Sequence, residues 1–188
     1  VSSLRFDFDN LEIGGRNLIR GSSFNNGPGD VYRYGVDFEI VEDSYVPGTK
    51  SLNAVYSTSS NTGTTLNKGF WIIVNDLNIG EEYIFSFYGK GFEEIDSISI
   101  YTRPINIFSN LKRTILENGW VRYQGTITPT ENTVNIYVRP NGNKDYNFNI
   151  TFNAPQLEKG NRATDWTPAV EDMATQSQIT QLSDAINL

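Results

Sequence analysis

The stretch GEEYIFSFYGKG, residues 80–91, constrains the fold of this 188-residue chain more than any other. Its side chains alternate between two faces, as they do in a strand with one buried side. One face carries Tyr83, Phe85 and Phe87, and the other carries Ile84, Ser86 and Tyr88. Aromatic rings bury roughly 150–250 Å² each, so the first face is sufficient to anchor a core. We therefore interpret the stretch as the central strand of a β-sandwich and look for function on its second face.

Short strands are predicted along most of the chain, separated by Gly, Pro, Asn or Ser. They cover residues 17–19, 36–41, 51–57, 70–74, 97–103, 120–128, 133–139 and 148–157. Such a succession is typical of an antiparallel sandwich, so residues 16–160 are predicted to form one all-β domain. Shared parity places these side chains in its core: Phe85, Phe87, Ile98, Ile100, Val134, Ile136 and Phe152.

The two ends of the chain differ from this pattern. Residues 1–15 are interpreted as a connecting arm, and residues 161–188 as an exit linker followed by the start of a helix. Ile179, Leu182 and Ile186 have coiled-coil spacing, through which a parent protein would oligomerise. Fewer than two heptads are present, so a single packed amphipathic turn remains the alternative. The sequence does not begin with Met, and we expect it to be a fragment of a longer polypeptide.

The composition argues against catalysis. The chain has no Cys and no His, which removes the common nucleophile and base pairs and the commonest metal ligands. The acidic pairs Glu81–Glu82 and Glu93–Glu94 are adjacent in sequence, so they do not face one another as glycosidase carboxylates do. The net charge of −7, without a basic run, argues against a nucleic-acid partner. No apolar run approaches the ~20 residues that span a bilayer, so no membrane partner is expected.

Several segments together resemble the jelly-roll carbohydrate-binding modules of families four and nine. They are NLI, SLNAVYS, GEEYIFSFYGKG, SISIY, GWVRYQGTIT, VNIYVRP and FNAPQLEKG. The segments IGGRNLIRGSSF and QLEKGNRATDWTPAVED are similar to the flanks of such modules in tail and baseplate proteins of siphophages that infect Gram-positive bacteria, such as lactococcal phages.

This resemblance implies a non-catalytic saccharide-binding module of a phage tail or baseplate protein, located in the extracellular virion. Such a module would aid adhesion to host cell-wall polysaccharide and would contact other tail proteins. The alternative is a structural spacer or docking module of the baseplate that does not bind sugar, because one fold hosts many functions.

The resemblance also indicates where a sugar would bind. Tyr34 matches an aromatic that stacks on the ligand in glucan-binding modules, and Tyr32 shares its parity. Asn135 and Arg139 match amide positions that bind sugar hydroxyls, with Tyr137 between them. An Arg in place of an amide suits an anionic or phosphorylated polysaccharide. The predicted ligand residues are Tyr32, Tyr34, Trp71, Tyr88, Asn135, Tyr137 and Arg139, with Tyr88 expected beside Tyr137 in one sheet.

Three further expectations concern residues outside this set. Tyr101 and Arg103 repeat the Tyr-x-Arg-Pro pattern of Tyr137 to Pro140, but are expected in the opposite sheet. Trp120 is interpreted as core or corner packing, and Trp166 as an apolar plug for the exit segment. The resemblance implies no required cofactor but admits a structural calcium, for which Asn153 stands where Asp is common and Glu158 is the best remaining ligand.

Overall fold

A computed structural model describes residues 16–57, 68–94, 98–140, 147–173, 181 and 184–185. Within these residues, ten strands make up the fold. They are β1 (Val31–Tyr34), β2 (Phe38–Val41), β3 (Ser51–Tyr56), β4 (Gly69–Val74), β5 (Tyr83–Lys90), β6 (Ile98–Arg103), β7 (Phe108–Ile115), β8 (Trp120–Ile127), β9 (Val134–Pro140) and β10 (Phe148–Lys159).

The strands form two antiparallel sheets that pack as a β-sandwich. A four-stranded sheet has the order β1-β4-β9-β6, and a six-stranded sheet has the order β2-β3-β10-β5-β8-β7. The predicted fold class is therefore confirmed. The core side chains predicted by parity are all buried in one cluster between the sheets, and β5 is an interior strand with Phe85 and Phe87 fully buried.

The structure differs from the predicted strands at three places. Residues 31–34, which are in none of the predicted strands, form edge strand β1. Strand β7 was not predicted because its side chains are almost all exposed and show no alternation. Residues 17–19 are not a strand, although the Leu18 N–H donates to the Leu157 carbonyl at 2.8 Å. Edge strands lack one hydrogen-bonded neighbour, so their sequences carry less of the buried pattern.

A β-bulge divides β10 and controls which side chains face outward. The register against β5 shifts between Asn153 and Gln156, with Ala154 at a φ of 48°. Because the bulge changes the alternation, Asn153 and Gln156 both point to the outer face while Phe152 and Leu157 both enter the core.

The C-terminal helical prediction is only partly covered by the described residues. One helical turn spans residues 170–173. The stripe of Ile179, Leu182 and Ile186 lies outside the described residues, as does the proposed arm at residues 1–15. Within the described part of the chain, no helix has the length and apolar character needed to cross a membrane.

Candidate functional site on the outer face of the four-stranded sheet

A continuous row of aromatic side chains crosses all four strands of the smaller sheet. Tyr32 pairs with Trp71 in the strand register, Trp71 with Tyr137, and Tyr137 with Tyr101. Neighbouring ring centroids are 5.1, 5.8 and 4.9 Å apart. Strands lie about 4.8 Å apart, so the row runs about 14 Å across the sheet. One aromatic from each strand therefore contributes to a single surface.

The rings of this row stand side by side on the sheet. The Tyr101 and Tyr137 planes differ by 4°, and those of Trp71 and Tyr137 by 11°. Parallel rings at such separations must be offset-stacked, because two coplanar rings would overlap at their edges. The middle of the row therefore presents mainly ring edges to solvent. At the β1 end Tyr32 is tilted by 41° to Trp71 and is 45% exposed, so its ring face is accessible.

Besides its contact with Tyr32, Trp71 is held in this row by a hydrogen bond and by stacking. Its indole N–H donates to the Arg33 carbonyl at 3.1 Å, and its ring stacks on Tyr137. Its position is out of phase with Phe70 and Ile72, which are fully buried, and the indole is half-buried on the outer face.

Gly69 on β4 allows Tyr34 of β1 to reach Tyr137 of β9, although β4 lies between these two strands. Tyr34 pairs with Gly69 in the register, and a Cβ on Gly69 would lie 2.3 Å from the Val138 carbonyl oxygen. Because β4 has no side chain here, the Tyr34 ring reaches across it and contacts Tyr137 edge-on, with 5.1 Å between centroids. A larger residue at position 69 would remove this contact.

The β6 end of the row is polar and positively charged. The guanidinium carbons of Arg139 and Arg103 lie 5.1 and 5.6 Å from the Tyr101 ring centroid. A cleft of about 430 Å³ opens here, lined by Tyr34, Ser99, Tyr101, Thr102, Arg103, Asn106 and Arg139. Burial raises the pKa of the Tyr101 hydroxyl to about 12, and a hydrogen bond with Tyr34 adds to the rise. Tyr101 is therefore a neutral phenol at physiological pH.

The structure brings together all the predicted ligand residues except Tyr88. Asn135 pairs with Ile73 and Arg103 in the row next to the aromatics, so it shares their outer face. Tyr88 was wrongly placed, because β5 belongs to the six-stranded sheet. Tyr88 is 8% exposed and stacks on Tyr45 at 4.6 Å, whereas β9, which carries Tyr137, lies in the other sheet. Its face of β5 is covered.

The prediction for Tyr101 and Arg103 was also wrong, because it placed them in the sheet opposite Tyr137. Their strand β6 pairs directly with β9, so both residues belong to the site rather than to the other sheet. The repeated Tyr-x-Arg-Pro pattern of β6 and β9 was the sequence signal that could have found them. Parity alone does not specify which sheet a strand joins.

The exit segment, defined as residues 161–173, covers the part of the six-stranded sheet's outer face that lies around β10 and the neighbouring β5. Trp166 packs on a small cluster of Tyr88, Trp120 and Ala154, and its indole N–H donates to Ser22 Oγ at 3.0 Å. This matches the predicted plug. Trp120 is buried in that cluster, as expected of a packing residue.

Glu158 takes part in this closure and Asn153 holds the neighbouring loop before β3, and neither fits a calcium site. Asn153 Oδ1 accepts the N–H groups of Tyr45 and Val46 at 3.2 and 3.1 Å. The fully buried Glu158 accepts from the Thr164 N–H at 3.2 Å and hydroxyl at 2.9 Å, and from Gln156. Their oxygens thus already serve the protein's own donors. Among the described residues, no group of three or more acidic side chains is placed to hold a metal.

Comparison with known proteins identifies the fold as a jelly roll. The chain is similar to the CBM22-1 xylan-binding domain of Xyn10C from Paenibacillus barcinonensis, with a TM-score of 0.56 and 15% identity over 79% of this chain and 97% of that domain. A protein from Bacteroides thetaiotaomicron has a TM-score of 0.52 and 10% identity over 77% of this chain and 100% of its own. No protein-family model and no curated protein sequence matches the chain.

Proposed function

We propose that the protein is a non-catalytic saccharide-binding module whose site is the outer face of the four-stranded sheet. The observation that carries the proposal is the row Tyr32–Trp71–Tyr137–Tyr101, in which every strand contributes one partly exposed ring. Sugars present apolar C–H faces and many hydroxyls. The accessible face of Tyr32 suits the former, and the side chains of Asn135 and Arg139 suit the latter.

The jelly-roll fold is consistent with this function but does not by itself imply it, since the fold supports many activities. The xylan-binding domain of similar fold binds a polysaccharide, as its name states. In this protein the aromatic row and the adjacent polar cleft supply the specific support.

We further propose that the module belongs to the tail or baseplate of a phage infecting a Gram-positive host. The support is the sequence of the two flanking segments, IGGRNLIRGSSF and QLEKGNRATDWTPAVED. In the virion, the module would aid adhesion to cell-wall polysaccharide beside other tail proteins. The predicted C-terminal helix would join copies of the parent protein, and tandem copies would raise avidity by roughly 10²–10⁴-fold.

A structural spacer is the second candidate, and the stacking within the row favours it. Cross-strand aromatic pairs stabilise a sheet by roughly 0.2–1 kcal/mol each without any ligand. On that hypothesis the rings of Trp71, Tyr137 and Tyr101 support only one another, and the cleft beside them is incidental.

Binding to purified Gram-positive cell walls, and to a panel of immobilised glycans, separates the two candidates. We expect binding by the wild-type chain and a loss of about 1–3 kcal/mol in Tyr32→Ala, because an exposed aromatic anchor is removed. Ile115→Ala is the matched control, since Ile115 is 85% exposed but lies on β7 of the other sheet. Retention of full binding by both Tyr32→Ala and Tyr137→Ala would place the site elsewhere. Absence of binding to any wall or glycan would favour the spacer.

A further inference from the structure

The two ends of the aromatic row differ in charge. At the β1 end, Tyr32 offers a neutral ring face. At the β6 end, the guanidinium groups of Arg103 and Arg139 both lie within 5.6 Å of the Tyr101 ring centroid. In the strand register Arg139 is opposite Ser99, and Arg103 is opposite Asn135, so the two residues lie on either side of Tyr101 along the strand direction.

The cleft that Arg103 and Arg139 line is rich in hydrogen-bond donors, so it suits a ligand group that accepts hydrogen bonds. Among the described residues, none that lines it is acidic, and its remaining polar atoms come from Tyr34, Ser99, Thr102 and Asn106. Arg103 is exposed and forms no ion pair with any described side chain. Two like charges near one ring repel each other, and a bound anion would offset that repulsion. The feature stands out in a chain of net charge −7.

We propose that this end of the site holds the acidic group of an anionic polysaccharide, either a carboxylate or a phosphate, while the Tyr32 end contacts a neutral sugar ring. The inference rests on the proposed saccharide-binding function and specifies its substrate class. Guanidinium groups bind carboxylates and phosphates through paired, charge-assisted hydrogen bonds, which a neutral hydroxyl does not provide. The site thereby gives the glycan a direction across the strands, from Tyr32 towards Arg103.

Calorimetric titration with three probes tests this inference. The probes are a neutral xylo-oligosaccharide, an oligogalacturonate that carries carboxylates, and a glycerol-phosphate teichoic acid. We expect the wild-type protein to bind at least one acidic probe more tightly than the neutral one. Arg103→Gln should weaken that binding by about fivefold and change neutral binding by less than about twofold. Raising the salt concentration should weaken only the acidic binding, since the Debye length falls from about 10 Å at 0.1 M to about 3 Å at 1 M.

Arg113→Gln supplies the matched control, because it removes the same charge from β7 on the other sheet. Arg139→Gln provides a second variant at the site, and the thermal midpoint of each variant verifies folding.

Preference for oligogalacturonate indicates a uronate ligand, whereas preference for the teichoic acid indicates a phosphate. Binding of the neutral probe with no preference for either acidic probe would overturn the inference and leave saccharide binding intact. Equal losses in Arg103→Gln and Arg113→Gln would also overturn it, because a general charge effect would then suffice. Failure of all three probes to bind would count against both proposals.

Discussion

The outer faces of the two sheets receive similar residues and use them differently. The four-stranded sheet carries Trp71 and several Tyr side chains on its own strands, whereas Tyr45 and Trp166 pack onto Tyr88 and Trp120 from outside the six-stranded sheet. On the four-stranded sheet, Trp71 lies in a row that no described segment of the chain covers. On the six-stranded sheet, Tyr45 stacks on Tyr88, and Trp166 from the exit segment packs against the cluster that contains Tyr88, so this part of the face is closed. The same side-chain chemistry thus forms a surface in one place and an interior in the other.

The difference lies in the hydrogen bonds next to the aromatics. On the covered face, Gln156 and Glu158 bond to the exit segment: the Thr167 N–H donates to Gln156 Oε1 at 2.9 Å, and Thr164 donates to Glu158. On the uncovered face, the corresponding polar positions are Asn135, Arg139 and Arg103, which flank the row. The uncovered aromatics beside these polar side chains support the proposed binding surface, whereas the bonded face is a packing surface.

Removing the hydrogen bonds of Asn17, which join the chain near residue 17 to β10 and to the exit segment, should have the largest effect on stability. Asn17 is fully buried; its amide group donates to Ser22 Oγ and to the Pro155 and Thr167 carbonyls, and its oxygen accepts the Ile19 and Leu157 N–H groups. Asn17→Ala leaves several of these groups buried without a partner. We expect the free energy of unfolding to fall by about 3–4 kcal/mol in urea denaturation.

Asn135→Ala is the matched substitution on the uncovered face, where the amide is half-buried. Its expected cost is below about 0.5 kcal/mol, as for an ordinary surface change. Similar stability losses in Asn17→Ala and Asn135→Ala would contradict the view that only one face is closed by the chain.

Substitution of Trp71 and of Trp166 gives the next comparison. Each should cost about 1–3 kcal/mol, the first in binding free energy and the second in the free energy of unfolding. Trp71→Ala should reduce the binding free energy for cell-wall glycan by that amount, because an indole beside Tyr32 is lost from the row. Trp166→Ala should reduce the free energy of unfolding by about 2 kcal/mol, since a partly buried indole no longer packs against the cluster of Tyr88, Trp120 and Ala154. Affinity of the folded fraction should be unchanged in Trp166→Ala. If Trp71→Ala affects only stability, the uncovered row has a structural role and the spacer hypothesis gains.

The fold was largely predictable from the sequence, whereas the membership of the site was only partly so. Alternation identified β5 and β9 and the inward direction of Phe85 and Ile136, because burial imposes a period of two. It did not identify which strands share a sheet, since that depends on connections and on edge pairing. Tyr88 was therefore assigned to the site, and Tyr101 was expected in the opposite sheet, although both lie on outward faces. The closure of the face around Tyr88 depends on Tyr45 and Trp166, which are both distant from it in the sequence, and no local pattern encodes these contacts.

The pKa values of two tyrosines offer the smallest and most specific comparison. Burial raises the pKa of Tyr101 on the uncovered face to about 12, and burial also raises that of Tyr88 on the covered face. The groups facing Tyr101 are Tyr34, Tyr137 and Arg139, with Arg103 on its own strand; Arg139 lowers the pKa, whereas both tyrosines raise it. A glycan on the row would exclude further water and favour the neutral phenol, so the pKa of Tyr101 should rise on binding.

The rise in the pKa of Tyr101 on folding determines how the stability of the protein depends on pH. Because folding raises the pKa of Tyr101 from its ordinary value near 10, its contribution to stability is complete below pH 10 and is lost as the pH rises through about 12. Tyr101→Phe should therefore show a smaller loss of stability across that window than the wild type.

In an NMR titration of ring-labelled tyrosine, with Tyr101→Phe and Tyr88→Phe used to assign the signals, saturating glycan should move the Tyr101 transition upward and leave that of Tyr88 in place. An equal shift at both tyrosines would mean that the ligand acts on the whole fold, and a shift at Tyr88 alone would place the ligand against the exit segment instead.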